Sequence, residues 1–226
     1  MIEELLPESV VAVEAQADDP LWDAPLHPEE EALVVRAVAK RRREFAAVRG
    51  CARRAMEKLG VPAQPVLSGE RGAPRWPDGL VGSMTHCDGY CAAALVRAAD
   101  LASLGIDAEP NGPLPEGVGP TVFLPTETER LVRLAAQRPA VHWDRILFSA
   151  KESVYKAWYP LTRTWLDFSE ADITLHPGAD GAASGTLHAE LLVPGPRVGA
   201  RRLRAFDGGW AVRDGVVTTA VVVPHP

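Results

Sequence analysis

The stretch "LASLGIDAEP", residues 101–110, places two carboxylates where an apolar run ends. Side chains alternate along a strand, so Leu104, Ile106 and Ala108 fall on one face and Gly105, Asp107 and Glu109 on the other. Two anions side by side on one face repel unless something positive lies between them. An exposed strand end meeting water is one reading of the pair; a bound cation is the other.

A third carboxylate lies some forty residues on. In "FSAKESVYKAW", residues 148–158, a helix brings Glu152 and Lys156 onto one face and Lys151 and Tyr155 onto another. Taken alone, Glu152 and Lys156 read as a surface ion pair worth a few tenths of a kcal/mol. If that helix crosses the strand of Asp107 and Glu109, three oxygen ligands meet with no Cys/His set nearby. That donor chemistry points to Mg²⁺, which keeps waters and is completed by substrate phosphates.

Basic residues stand upstream. "KRRREFAAVRGCARR" spaces Arg41, Phe45 and Arg49 four apart, so two guanidinium forks face one way, as a phosphate requires. Arg71 lies in the Gly/Pro-rich loop 68–79, within reach of the same ligand. In "GSMTHC", Ser83, Thr85 and His86 offer hydrogen bonds to an oxyanion. A ligand needing several cations plus Mg²⁺ is most simply a polyphosphorylated nucleotide, so the residues by themselves point to a Mg-dependent enzyme acting on a pyrophosphate.

The rest of the chain supplies the frame. Pro28 and the segment after it form the longest helical pattern, ending at Gly60, with Leu33, Ala37, Val38, Phe45, Val48, Ala52 and Met56 as its apolar positions and room for a bend near Arg43. "LVGSMTHC" and "YCAAALVRA" read as strands joined by Asp88-Gly89, and "GWAVR" and "VVTTAVVV" as strands joined by Asp214-Gly215. Helical patterns cover "TETERLVRLAAQ" and "VHWDRILFSAKESVYKAWYPLT". Each half thus holds a helix followed by an Asp-Gly hairpin, as in an α+β pseudo-dimer of two similar α/β halves, 1–105 and 106–226. Residues 177–209 carry no legible pattern.

The 226 residues hold 24 basic and 30 acidic side chains, net −6, which argues against a general nucleic-acid binder. Cys51, Cys87 and Cys91 have no zinc spacing and read as reduced thiols. The N-terminus lacks a signal-peptide pattern and no apolar run reaches spanning length, so a cytoplasmic protein without membrane partners is expected.

The ordered motifs "KRRREFAAVRGCAR", "GERGAPRWPDGLVGSMTHC", "GIDAEP" and "FSAKESVYKAW" resemble the Sfp/EntD-type 4′-phosphopantetheinyl transferases, especially their actinobacterial branch. The resemblance spans roughly residues 28–170. It implies a monomeric pseudo-dimer that moves 4′-phosphopantetheine from coenzyme A to a serine of an apo acyl or peptidyl carrier protein, releasing adenosine 3′,5′-bisphosphate. It implies Mg²⁺, or Mn²⁺ in its place, on Asp107, Glu109 and Glu152, and Lys156 near the transferred phosphate. His86, with Ser83, would meet coenzyme A, and Arg41, Arg49 and Arg71 would hold its phosphates. Phe148 stands where many relatives have Trp, and Arg71 where Lys is frequent. Carrier proteins of this kind are usually acidic, so the docking face on this acidic chain must be locally apolar or basic; residues 122–131, in the C-terminal half with the metal-binding residues, either help form such a carrier groove or are an ordinary linker and helix. Tyr155 and Trp165 either line the pantetheine arm or fill the core. A nucleotide pyrophosphatase and a non-catalytic coenzyme A-binding module are the rival readings.

Overall fold

The computed structural model describes residues 1–179 and 182–226. Five helices and twelve strands follow the chain as β1 (Val11–Gln16), α1 (Pro28–Leu33), α2 (Ala39–Lys58), β2 (Leu67–Ser68), β3 (Pro74–Arg75), β4 (Leu80–Cys87), β5 (Tyr90–Arg97), β6 (Leu101–Pro110), α3 (Gly119–Val122), α4 (Pro125–Gln137), α5 (Trp143–Thr162), β7 (Ala171–Pro177), β8 (Ser184–Leu191), β9 (Arg197–Val198), β10 (Arg201–Arg202), β11 (Ala205–Arg213) and β12 (Val216–Pro224). The two larger sheets are antiparallel, ordered β1-β5-β4 and β6-β12-β11-β8-β7.

Each larger sheet carries a 20-residue helix. On α2, Ala47, Val48, Cys51, Ala52, Ala55 and Met56 bury against Val13, Ala15, Cys91, Ala93 and Leu95. On α5, Ile146, Leu147, Ala150, Val154 and Ala157 bury against the five-stranded sheet through Ile173, Leu187, Val217 and Val221. The faces away from the helices meet each other: Ala12, Tyr90, Ala92, Ala94 and Val96 pack with Leu104, Ile106, Ala108, Val216 and Ala220. β5 is therefore covered on both sides, which accounts for its unbroken apolar run "YCAAALV".

Both Asp-Gly hairpins form with two-residue loops. Asp214 and Gly215 have φ of 48° and 75°, the left-handed pair of a type I′ turn, whereas only Gly89 is left-handed in the first. The long N-terminal helical pattern is broken, at 34–38 rather than near Arg43. Leu33 and Val38, expected to face the core, are 48% and 72% exposed because they flank that break. The division expected between 105 and 106 falls inside β6, which pairs with β12 along its length. The unread segment 177–209 holds β8 and the β9–β10 ribbon, and β7 ends at its first residue. Among the described residues no helix is long and apolar enough to cross a membrane.

Candidate active site

Gly105 sets the site's dimensions. A Cβ there would lie 2.0 Å from the Ser153 carbonyl oxygen and 2.7 Å from the Ala157 nitrogen, so only glycine lets β6 run against the backbone of α5. Two residues on, Asp107 then points at the same helix. Its Oδ1 accepts from Lys156 Nζ at 2.7 Å and from Thr85 Oγ1 at 3.3 Å; its Oδ2 accepts from Ser149 Oγ at 2.8 Å. Lys156 also donates to the Ile106 carbonyl at 3.1 Å. The Glu152–Lys156 surface pair is replaced by a partly buried Lys156–Asp107 pair.

Glu109, nearer the strand end, accepts from Arg145 Nη1 at 2.9 Å. Burial raises the Glu109 carboxyl, with Asp107 adding to the effect and Arg145 opposing it. Burial also raises Glu152; Lys156 opposes and Asp107 adds. No cation forms an ion pair with Glu152 among the described residues. The three carboxylates therefore share one field. Yet among the described residues no three His, Cys, Asp or Glu side chains are gathered closely enough to hold a metal ion. In kind the donors suit a hard divalent cation, since all are oxygens.

The basic side is built on α2 and the loop before β4. Arg41 Nη1 bonds His86 Nε2, and a guanidinium has no acceptor, so Nε2 accepts and the proton of the neutral ring sits on Nδ1. Burial first, then Arg41, lowers the His86 pKa, against Glu44 3.6 Å away. Arg49 differs from the free fork expected. Its Nε donates to the Val66 carbonyl at 3.0 Å and its guanidinium lies over the Phe45 ring, 4.0 Å from buried Glu30. Burial brings its pKa down to about 10, Glu30 opposing and Arg41 adding. Arg71 takes a left-handed backbone, φ 55°, and lies 5.7 Å over the Trp165 ring. Trp165 is half exposed and so is not a core aromatic, whereas Tyr155, 4.9 Å from it, is half-buried and packs against the core of the five-stranded sheet.

Ser83 and Thr85 have a structural task. β4 and β6 lie side by side but belong to different sheets; the Ile106 and Ala108 amides donate to Ser83 Oγ at 3.1 Å and Thr85 Oγ1 at 3.0 Å. Two hydroxyls thus replace a backbone ladder across the seam. One cleft of about 680 Å³ opens along it, bordered by Arg41, Arg49, Arg71, Ser83 and His86 from the N-terminal half and by Glu152, Tyr155 and Lys156 from α5. Asp107 lies behind Lys156, and Glu109 toward the strand end.

Sequence reasoning missed Arg145 and Ser149, the partners of Glu109 and Asp107. With Glu152 and Lys156 they follow the 4-3-4 spacing of one helix face, a signal present in "RILFSAKESVYK". It also missed that Lys151 is structural. Its Nζ is buried, 2.8 Å from Glu127 and donating to the Phe168 and Ala171 carbonyls, while Glu127 accepts from the Leu124 and Ile173 amides. Cys87, near Glu109 and Asp107, is pushed up to about 12, chiefly by burial, which leaves it an inert thiol.

Arg41, Arg49 and Arg71 of the N-terminal half thus face Glu152 and Lys156 of α5 across the seam of two paired α/β halves. Residues 29–96 match the model of the 4′-phosphopantetheinyl transferase N-terminal domain and residues 103–194 that of the 4′-phosphopantetheinyl transferase superfamily, and the chain belongs to this superfamily of transferases. Among individual relatives it is 60% identical to the 4′-phosphopantetheinyl transferase Svp of Streptomyces mobaraensis, over 100% of this chain and 90% of the relative. Npt of Nocardia iowensis is 49% identical, covering 98% and 99%, and PptT of Mycobacterium tuberculosis 45%, covering 99% and 98%; both bear the same enzyme name.

Proposed function

We propose that the chain transfers 4′-phosphopantetheine from coenzyme A to a serine of apo acyl or peptidyl carrier proteins, in a Mg²⁺-dependent reaction that releases adenosine 3′,5′-bisphosphate. The observation that carries this reading is the cleft, with Arg41, Arg49, Arg71 and His86 on one side and Glu152 and Lys156 on the other. The basic side suits the nucleotide's phosphates, and Arg41 and Arg71 are the more accessible guanidinium groups. Asp107, Glu109 and Glu152 would hold Mg²⁺, or Mn²⁺ in its place; when bound, such an ion neutralises charge on the diphosphate and polarises the phosphorus.

The chain's own groups account for the remaining chemistry. The carrier serine oxygen forms a bond to the phosphorus that carries pantetheine, and the bond from that phosphorus to the bridging oxygen of the diphosphate breaks. The serine proton passes to Glu152, directly or through water. Lys156, fixed by Asp107 and the Ile106 carbonyl, meets charge on the transferring phosphoryl group. His86, protonated on Nδ1, offers that N–H to a phosphate oxygen. The product nucleotide is a stable anion and needs no strong acid to leave. Tyr155 and Trp165 would flank the pantetheine arm.

The test is product stoichiometry. Incubation with coenzyme A, Mg²⁺ and an apo carrier should release one adenosine 3′,5′-bisphosphate per holo carrier formed, and little without carrier. Fast release in the absence of carrier would favour a pyrophosphatase, and no release at all a binding module.

A further inference from the structure

The break between α1 and α2 leaves an apolar shoulder in water. Leu33, Val35 and Val38 are 48%, 73% and 72% exposed, half of the large apolar side chains that stand exposed among the described residues. The turn that presents them is fixed, because Val34 between them is buried and its amide and carbonyl are both bonded, to Glu31 and Ala37. Neighbouring exposed apolar residues of this kind mark interaction surfaces.

Charge says what kind. Residues 33–43, "LVVRAVAKRRR", hold five basic side chains and no acidic one, in a chain whose net charge is −6. Arg36 forms no ion pair among the described residues. Lys40, Arg42 and Arg43 hold exposed pairs with Asp88, Glu31 and Asp23, which contribute little in water and exchange readily. Position says why. Lys40 donates to Asp88 at the hairpin tip and Arg41 bonds His86, so the shoulder adjoins the rim of the cleft on its N-terminal side.

We propose that this shoulder is a docking surface for the carrier protein, taking an element with apolar side chains and an acidic border. The inference rests on the function proposed above. Val35 and Leu33 bury against the apolar side chains, Arg36 and its neighbours meet the acidic border, and the serine is delivered to the rim beside His86.

The test separates carrier binding from coenzyme A binding. Val35→Glu should raise the KM for apo carrier about tenfold, equivalent to about 1.4 kcal/mol, while the Kd for coenzyme A by calorimetry stays within twofold. Val35→Leu should behave as wild type. Arg36→Glu should also raise the carrier KM, by a factor that shrinks as salt is added. An unchanged carrier KM in Val35→Glu and Arg36→Glu would overturn the proposal. So would a parallel loss of coenzyme A affinity, which would assign the segment to the nucleotide pocket. Self-association of the wild type that Val35→Glu abolishes would assign the shoulder to a second copy of the chain. Absence of transfer by the wild type would instead defeat the functional reading beneath it.

Discussion

Asp107 is the residue on which the site turns, and its surroundings make it more than a ligand candidate. It anchors Lys156 and is held by Thr85 and Ser149, so removing it deletes a carboxylate and also frees a half-buried ammonium. Asp107→Ala should reduce transfer below detection, and activity restored by saturating Mg²⁺ would contradict its assignment. Lys156→Ala should lower kcat far more than it weakens coenzyme A binding; a pure affinity loss would move Lys156 from chemistry to binding. Glu152 makes a prediction of opposite sign for stability. Burial raises its carboxyl above the ordinary range, so the fold disfavours the charged form. Between the ordinary and the raised value the folded chain binds more protons than the unfolded one, and stability falls as pH rises through that window. Glu152→Gln should therefore raise Tm at neutral pH while losing transfer. The gain should vanish in acid, where both states are protonated.

At the scale of elements, the approach of β6 to α5 is the decisive contact. Gly105→Ala drives a methyl into the backbone of α5 and should cost about 3 kcal/mol or more, read as a drop in the urea midpoint. Lys151→Met leaves Glu127 buried without its cation and should cost about 3–5 kcal/mol. Much at this scale was legible in the sequence. The alternation in "LASLGIDAEP", the two Asp-Gly turns and the periodic apolar residues of α5 each report a local rule, and each element formed. The sequence does not show the break between α1 and α2, because Leu33 and Ala37 keep the four-residue spacing of a helix face across it, while the tertiary structure leaves Leu33 and Val38 outside. β8 escaped notice although "SGTLHAEL" alternates apolar and polar from Thr186 to Leu191, because it lies in a stretch rich in Gly, Pro and Arg. Arg49 misled for a similar reason: its spacing from Arg41 was read correctly, but Glu30 and the Val66 carbonyl that bind it come from other segments, which no local pattern reveals.

At the scale of the whole molecule, the two halves share an apolar core and a seam stitched by hydroxyls. The Ser83 and Thr85 hydroxyls, expected as donors to an oxyanion, also accept the Ile106 and Ala108 amides, a task that only the folded chain shows. Thr85→Val should leave a buried amide unpaired and cost about 1–3 kcal/mol, measured by urea unfolding. The seam is also the reason the cleft exists, since it sets the guanidinium groups of one half against Glu152 and Lys156 of the other. The most direct measurement of that account is the intact mass of an apo carrier after incubation with the chain, coenzyme A and Mg²⁺. The account predicts a gain equal to one phosphopantetheine arm with the wild type, and none with Asp107→Ala or when the metal is chelated. A carrier mass that stays at its apo value with the wild type, or that gains the arm equally with Asp107→Ala, would contradict it.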